Sequence, residues 1–284
     1  GVLRSEVHTL SDADYGYICQ LVYDTSGIVL DEGKREMVYR RLMRRTHELK
    51  LARFADYCTL LKRDAATELP HFTNAITTNL TRFFREPHHF DYLRETALPE
   101  LLLRRSSQRG IDKRIRVWSS ACSTGEEPYS AAISIAEAMG PRLAAWDVKI
   151  LATDLDSSVV AQGKTGVYSY DRIKDLDEPT RRRWFRKGTG DHDGLVKVDR
   201  KLSGMVTFKA LNLLREWPMS GPFDVIFCRN VLIYFDRKTQ AALIPRFFEL
   251  LRPGGILFLG HSENLPIRNG MFELLGKTTF KKPG

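Results

Sequence analysis

The chain has little of what marks a stapled or membrane-bound protein. Its four cysteines, Cys19, Cys58, Cys122 and Cys228, include no CxxC pair, and its histidines form no HxxxH pattern. Neither a disulfide frame nor a zinc site is expected, so no metal is assigned and the thiols are expected to be reduced. No apolar run approaches the about 20 residues of a membrane span, and no signal-peptide pattern stands at the N-terminus. A cytoplasmic protein with no direct membrane insertion is the expectation. Internal repeats and low-complexity tracts are absent too. Glycine is sparse where a nicotinamide enzyme needs it: the turn after the strand ending near Ser119 holds only Gly125, which weakens an oxidoreductase reading. What the chain does carry is positive charge, formally +9. That balance implies an acidic partner: nucleic acid, an anionic membrane surface or an acidic protein.

A length of 284 residues is enough for a full core and for two domains. From about residue 11 to 86 the pattern is helical. Ser11 is placed to cap a helix with Asp12 and Asp14 behind it. A second helix is predicted from about Lys34 to Leu49; at ~100° per residue Val38, Leu42, Thr46 and Leu49 share one face, and Lys34, Arg40, Arg41, Arg44 and Arg45 gather on the other. Further helices are expected near Arg53 to Lys62 and Leu69 to Thr77, and a linking helix from Pro87 to Arg105. From Arg114 onward strands alternate with helices, the mark of a parallel α/β sheet. Strands are predicted at Ile115–Ser119, Val148–Thr153, Phe223–Cys228 and Gly255–Leu259, with helices near Glu126–Met139 and Lys238–Leu251. The latter is closed by Arg252-Pro253-Gly254-Gly255. An edge hairpin strand is expected within Met271 to Phe280. The interval from Gly163 to Leu211 is too long for a plain loop and reads as an inserted antiparallel subdomain containing Leu195–Val198 and Met205–Phe208. The predicted organisation is therefore a helical domain over 1–90, a linker over 91–113, and an α/β domain over 114–284 with an insertion at about 165–210.

In an open α/β sheet a ligand lies over the carboxyl ends of the strands, which makes the residues just past each strand informative. Val117 to Ser130 reads as a buried strand, a small-residue turn and a helix whose first turn holds Glu126 and Glu127. Phosphate-binding turns keep the helix mouth positive, whereas this one is acidic and suits a ligand with a positive group, such as the sulfonium and ammonium of S-adenosylmethionine. An ordinary helix start with favourable acidic residues explains the same letters. Asp154 follows the second strand, placed to accept from two ribose hydroxyls or to cap a helix. Asn212 is placed to receive the exocyclic amine of adenine, with Leu213 against the ring, or to serve a turn. Arg229 and Asn230 directly after an apolar strand are awkward for packing alone, which favours a functional reading. Amine-directed nucleic-acid methyltransferases carry Asn/Asp-Pro-Pro-Tyr where this chain has Cys228-Arg229-Asn230-Val231, which weakens a base-methylating reading. Phe83 and Phe84 suit packing, while Arg85 beside them suits either a surface ion pair or the orientation of a carboxylate.

Six pieces, taken together, resemble a known family. They are Thr78–Glu86 (TNLTRFFRE), Ser123–Ser130 (STGEEPYS), Thr153–Asp156 (TDLD), Asn212-Leu213, Phe227–Asp236 (FCRNVLIYFD) and Gly260–Glu263 (GHSE). In order and over nearly the whole chain, they are similar to the CheR-type chemoreceptor glutamate methyltransferases. The resemblance implies a helical N-terminal domain joined to a Rossmann-like methyltransferase sheet with a small β-subdomain. It also implies that Asn79, Thr81, Arg85, Glu127, Asp154, Asn212, Leu213, Arg229 and Asn230 surround S-adenosylmethionine, with Arg85 and Tyr234 near the methyl group. S-adenosylhomocysteine would be the product. Arg82 is assigned nothing.

A glutamate with an ordinary pKa near ~4.3 is ionised at neutral pH, so methylating it needs no general base. An anion and a cation become a neutral ester and a neutral thioether; positioning in a cleft with little water should supply most of the acceleration. Too firm a grip on the reactant carboxylate would slow the step, which assigns Arg85 and Tyr234 to orientation. The basic stripe is a solvated face or lies along the glutamate-bearing helical bundle of a receptor. By resemblance, the inserted subdomain binds a receptor's C-terminal peptide as an edge strand, and Gly188-Thr189-Gly190 resembles the loop of peptide-binding members. A monomer recruited to membrane receptors is expected. The rival classes are a nucleic-acid-binding protein and a methyltransferase domain turned cofactor sensor or scaffold.

Overall fold

The computed structural model describes residues 10–110, 112–265 and 270–284. The N-terminal stretch without a signal-peptide pattern, residues 1–9, lies outside them. Among the described residues no helix is long and apolar enough to cross a membrane.

Four helices build the first unit: α1 (Asp12–Ser26), α2 (Arg35–Glu48), α3 (Phe54–Arg63) and α4 (Ala65–Ile76). The Ser11 hydroxyl accepts from the Asp14 N–H at 3.1 Å and starts α1. Gly27 ends it in the left-handed region at φ 76°, its N–H returning to the Tyr23 carbonyl. Ile18 and Val22 of α1, Val38 and Leu42 of α2, Tyr57 and Leu61 of α3 and Phe72 of α4 form one core, which closes at Ile76.

A helical rod follows, α5 (Pro87–Tyr92), a π turn (Leu93–Ala97) and α6 (Leu98–Ser106). Sequence patterning makes this rod a linker. In the structure Phe90, Leu93, Leu98 and Leu101 pack beneath the sheet, in one core with Val117 and Ile133. The rod covers a face of the sheet because its apolar residues recur at helical spacing and need a partner.

The main sheet contains β1 (Arg114–Ser119), β2 (Asp147–Asp154), β6 (Val206–Ala210), β7 (Phe223–Cys228), β8 (Leu251–Leu259), β9 (Glu273–Gly276) and β10 (Thr279–Lys281), in the order β6-β2-β1-β7-β8-β10-β9. The first five run parallel, and the terminal hairpin adds antiparallel. Strand residues alternate between two buried faces. Val117, Phe227 and Phe258 face α7 (Glu126–Met139) and the rod; Trp118, Ile226 and Leu257 face α11 (Arg237–Leu250). Strand order reverses between β1 and β7, so a crevice opens over their carboxyl ends.

Between β2 and β6 lie α8 (Ser157–Thr165), β3 (Val167–Ser169), α9 (Glu178–Trp184), β4 (Phe185–Lys187), β5 (Leu195–Val198) and α10 (Arg200–Ser203). The three short strands form an antiparallel sheet ordered β3-β5-β4. Two details differ from sequence expectation. Residues 206–210 do not belong to this insertion but extend the main sheet beside β2, because Phe208 is buried against Tyr129 at a ring distance of 5.6 Å. The Arg252–Gly255 run is no loop: α11 ends at Leu250 and β8 begins at Leu251 and passes through it, with the Gly254 N–H bonded to the Lys282 carbonyl.

Candidate functional site

The turn after β1 is built to bring backbone close to a ligand. Ser120 donates its N–H and its hydroxyl to the Phe227 carbonyl at 2.9 and 2.8 Å, tying the turn to β7. Ser123 is left-handed, φ 49°, which aims its N–H at Asp154 Oδ2, 2.9 Å away. Gly125, at φ 103°, precedes α7; a Cβ there would sit 2.6 Å from the Tyr168 hydroxyl, so the close approach of the subdomain demands glycine.

A cleft enclosing about 1120 Å³, its open mouth included, lies over this turn and reaches the helical unit. Asn79, Thr81, Arg85, Glu127, Asp154, Asn212, Leu213, Arg229, Asn230 and Tyr234 all line it. Ten residues spread from 79 to 234 meet because five chain segments end at one rim. Of the basic helix, Lys34 also lines the cleft; Arg40, Arg41, Arg44 and Arg45 do not.

Asp154 is buried, and burial raises its carboxyl to about 6 against the opposing pull of backbone N–H groups from Asp156 and Ser123. It is therefore mainly ionised at neutral pH. Each of its oxygens takes one backbone N–H, leaving a lone pair on each for a diol. Asn212 donates to the Thr25 carbonyl and accepts from the Leu214 N–H, which fixes its carboxamide oxygen toward the turn with one lone pair to spare.

The acidic mouth is only half as expected. Glu127 faces the cleft, whereas Glu126 turns away, fully buried and held by the Thr124 hydroxyl, 3.8 Å from Arg172 of the insertion. Successive helix residues point about 100° apart, so two neighbouring carboxylates cannot both face one ligand. Glu127 accepts from the Ser119 hydroxyl at 2.7 Å and from Arg229 Nε at 2.9 Å. Arg229 is buried over the Phe90 and Phe227 rings, and its Nη1 meets His89 Nδ1 at 2.9 Å.

His89 carried no sequence signal. An arginine only donates, so His89 Nδ1 must accept, and Nε2–H donates to the Lys277 carbonyl. Burial first, then the Arg229 charge, lowers its pKa to about 4. A histidine depressed from 6.5 contributes stability that is present above the unfolded value and lost as pH falls from about 6.5 through about 4. That loss is about 3 kcal/mol at one pKa unit per 1.36 kcal/mol. His89→Gln, which keeps an acceptor for Arg229, is expected to flatten the acid limb of stability between those values; urea unfolding across pH 4 to 7 with an unchanged slope would refute it. Glu86, His88 and His89 bring three ligand-type atoms within 4.8 Å of one another, but both ring nitrogens of His89 already have partners.

The 77–81 segment crosses the cleft on pins. Asp156 Oδ2 accepts from the Thr77 hydroxyl at 2.9 Å and from Asn79 Nδ2 at 2.8 Å, while its Oδ1 caps α8. Ser123 Oγ donates to the Asn79 carbonyl, and Arg172 to that of Thr81. Thus the Asn79 side chain holds the cleft's own wall. Phe83 packs edge-on against Tyr168 and Phe185, and Phe84 against Phe90. Arg85 donates to the Leu80 carbonyl at 3.0 Å and borders the cleft with Tyr234. Burial raises the Tyr234 hydroxyl above its ordinary value, against the lowering fields of Arg85 and Arg41, so it stays a protonated donor at neutral pH.

The basic stripe divides. Arg41 donates to the carbonyls of Ile76 and Thr77 at 2.9 and 3.1 Å, bracing the end of α4. Arg45 forms a two-pronged pair with the buried Glu68 at 2.8 and 2.9 Å, and Tyr57 donates to the same carboxylate. Lys34, Arg40 and Arg44 remain exposed. Gly188 and Gly190 lie outside the cleft, in the loop after β4; Gly190 takes φ 60° and a Cβ at Gly188 would collide with the His192 carbonyl.

A doubly wound sheet with an acidic residue past β2, a small-residue turn past β1 and a terminal antiparallel hairpin defines an S-adenosylmethionine-binding methyltransferase. The chain belongs to the CheR methyltransferase family, whose S-adenosylmethionine-binding domain matches residues 79–281 and whose all-alpha domain matches residues 13–77. It is 46% identical over 273 residues to a chemotaxis protein methyltransferase of Klebsiella aerogenes, covering 95% of this chain and 90% of that protein. Identity to the Escherichia coli protein of the same description is 45% over 273 residues, covering 95% and 91%. Chemotaxis protein methyltransferase 2 of Pseudomonas aeruginosa is 43% identical over 270 residues, covering 94% and 92%.

Proposed function

We propose that the chain methylates glutamate side chains of a chemotaxis receptor, giving glutamate methyl esters. The observation that carries this is that Asp154, Asn212 and Leu213, suited to a nucleoside, line one cleft together with Arg85 and Tyr234, suited to orienting a carboxylate. S-adenosylmethionine supplies an electrophilic methyl on a sulfonium. Asp154 would hold the ribose hydroxyls, Asn212 and Leu213 the adenine, and Glu127 the ammonium, with Arg229 keeping Glu127 in place. Arg85 and the Tyr234 hydroxyl orient the acceptor carboxylate. Neither need move a proton, because a glutamate is ionised already. The pinned 77–81 segment walls one side of the cleft against water, which favours a reaction in which charge disappears.

The experiment is labelled methyl transfer from S-adenosylmethionine to receptor-containing membranes, followed by alkali. Volatile methanol would establish the ester; label stable to base would overturn this reading.

The receptor's acidic helical bundle would meet Lys34, Arg40 and Arg44, and its C-terminal peptide the insertion near Gly188 and Gly190. Arg41 and Arg45 are unsuited to the first task, since both side chains are committed internally. Arg40→Glu together with Arg44→Glu is expected to lower receptor methylation most at low salt, while cofactor affinity and melting temperature stay at parental values. Methylation at the parental rate at low and moderate salt would remove the stripe from the interface.

A further inference from the structure

The Gly260–Glu263 run has no part in the chemistry above, yet its last residue makes an unusual set of bonds. Glu263 is buried, and its carboxylate accepts from four backbone N–H groups: Gly260 at 2.8 Å and Asn230 at 2.6 Å on Oε1, Val231 at 3.1 Å and Ile233 at 3.2 Å on Oε2. Among the described residues no lysine or arginine pairs with it. Its counter-charge is the converging set of amide dipoles at the start of the 3-10 turn Leu232–Tyr234. Asn230 adopts the left-handed region at φ 60°, costly for a residue with a side chain, and this bend aims its N–H at Glu263. Gly260 completes the bracket: a Cβ there would lie 2.5 Å from Asn230 Oδ1 and 2.8 Å from Glu263 Oε1.

We propose that Glu263 is a positioning residue for methyl transfer, its carboxylate clamping the Asn230–Tyr234 turn so that the Tyr234 hydroxyl is held at the cleft. The inference rests on the reading of Tyr234 given above. Three of the four bonds go to the turn itself, and Tyr234 is fixed at its far side by its carbonyl, which accepts from the Val29 N–H at 2.9 Å. The turn is thus held between the two domains, with Glu263 accepting from three of its backbone N–H groups. Asn230 keeps a second tie, Nδ2 to Glu86 Oε2 at 3.3 Å, and Gln240 Nε2 donates to the Leu232 and Phe235 carbonyls, so loss of the clamp shifts the Tyr234 hydroxyl without unravelling the turn.

Glu263→Gln preserves shape but turns an N–H₂ donor against two of the amides. Turnover is expected to fall about 10- to 100-fold, the effect of misplacing a reacting group by about 1 Å. Affinity for S-adenosylhomocysteine should fall no more than about tenfold, the worth of one hydrogen bond. The decisive readout is a double-mutant cycle: in a Tyr234→Phe background, Glu263→Gln should cost less than about twofold, because the group it positions is gone. Gly260→Ala, which crowds the same bracket from the other side, should behave alike, and Glu263→Asp should recover part of the turnover. Equal losses in both backgrounds, parental turnover in Glu263→Gln, or product binding lost together with turnover would overturn the clamp. Parental turnover in Tyr234→Phe alone would instead overturn the role of Tyr234, a separate failure read from a separate protein.

Discussion

Arg229→Leu is expected to abolish cofactor binding and to lower stability by about 3–5 kcal/mol, the cost of stripping one partner from a buried ion pair. Arg229 is 4% exposed, and its Nε lies 2.9 Å from Glu127 Oε2. Without it the Glu127 carboxylate keeps, among the described residues, the Ser119 hydroxyl, and His89 loses the donor to its Nδ1. Arg229→Lys should fall between, because an ammonium cannot reach Glu127 and His89 as a planar fork while lying over two rings. The double replacement Arg229→Leu with Glu127→Met should regain most of the stability and none of the cofactor affinity, separating packing from function. Thermal melts and calorimetry with S-adenosylhomocysteine check both. A single variant within about 1 kcal/mol of the parent, a typical surface effect, would show that the network carries neither.

Arg45→Glu is expected to unfold the helical domain. It would set a second carboxylate against Glu68, which is buried and otherwise bonded to Tyr57. Arg45→Met, which keeps the aliphatic stem, should still cost about 3–5 kcal/mol because Glu68 is left without its cation. Glu68→Gln in the Arg45→Met background should restore part of it. Limited proteolysis of residues 10–76 and the melting temperature read the effect directly, and Arg44→Glu one position earlier should move neither. A melting temperature unchanged in Arg45→Met would return this arginine to the exposed stripe.

These two arginines show where sequence reading reaches and where it stops. Arg229 was legible as an anomaly because a charged residue directly after an apolar strand conflicts with packing, and the structure brings it to the cleft beside Glu127. His89, its neighbour in the structure, was not, since nothing around Pro87-His88-His89 distinguishes a buried ring from an exposed one. Arg45 was misplaced for the opposite reason. A helical wheel sorts side chains by angle, and a long arginine at the edge of the apolar face can fold back to a carboxylate 23 residues away. Glu126 and Glu127 likewise look equivalent as letters; only the helix phase separates the one facing the cleft from the one facing Thr124.

What the sequence determined unaided was the local frame: helices between about 11 and 77, strands at about 115–119, 148–153 and 223–228, and the small-residue turn between Ser120 and Gly125. Periodicity, caps and turn chemistry act over a few residues, so they are written in adjacent letters. Tertiary structure alone decided that residues 206–210 join the main sheet, that the 87–106 rod covers it, that Arg41 and Arg45 turn inward, and that Glu263 closes on the Asn230–Tyr234 turn. Each of those outcomes is a contact between groups far apart in the chain, set by which buried charge or apolar face finds a partner once the layers have packed.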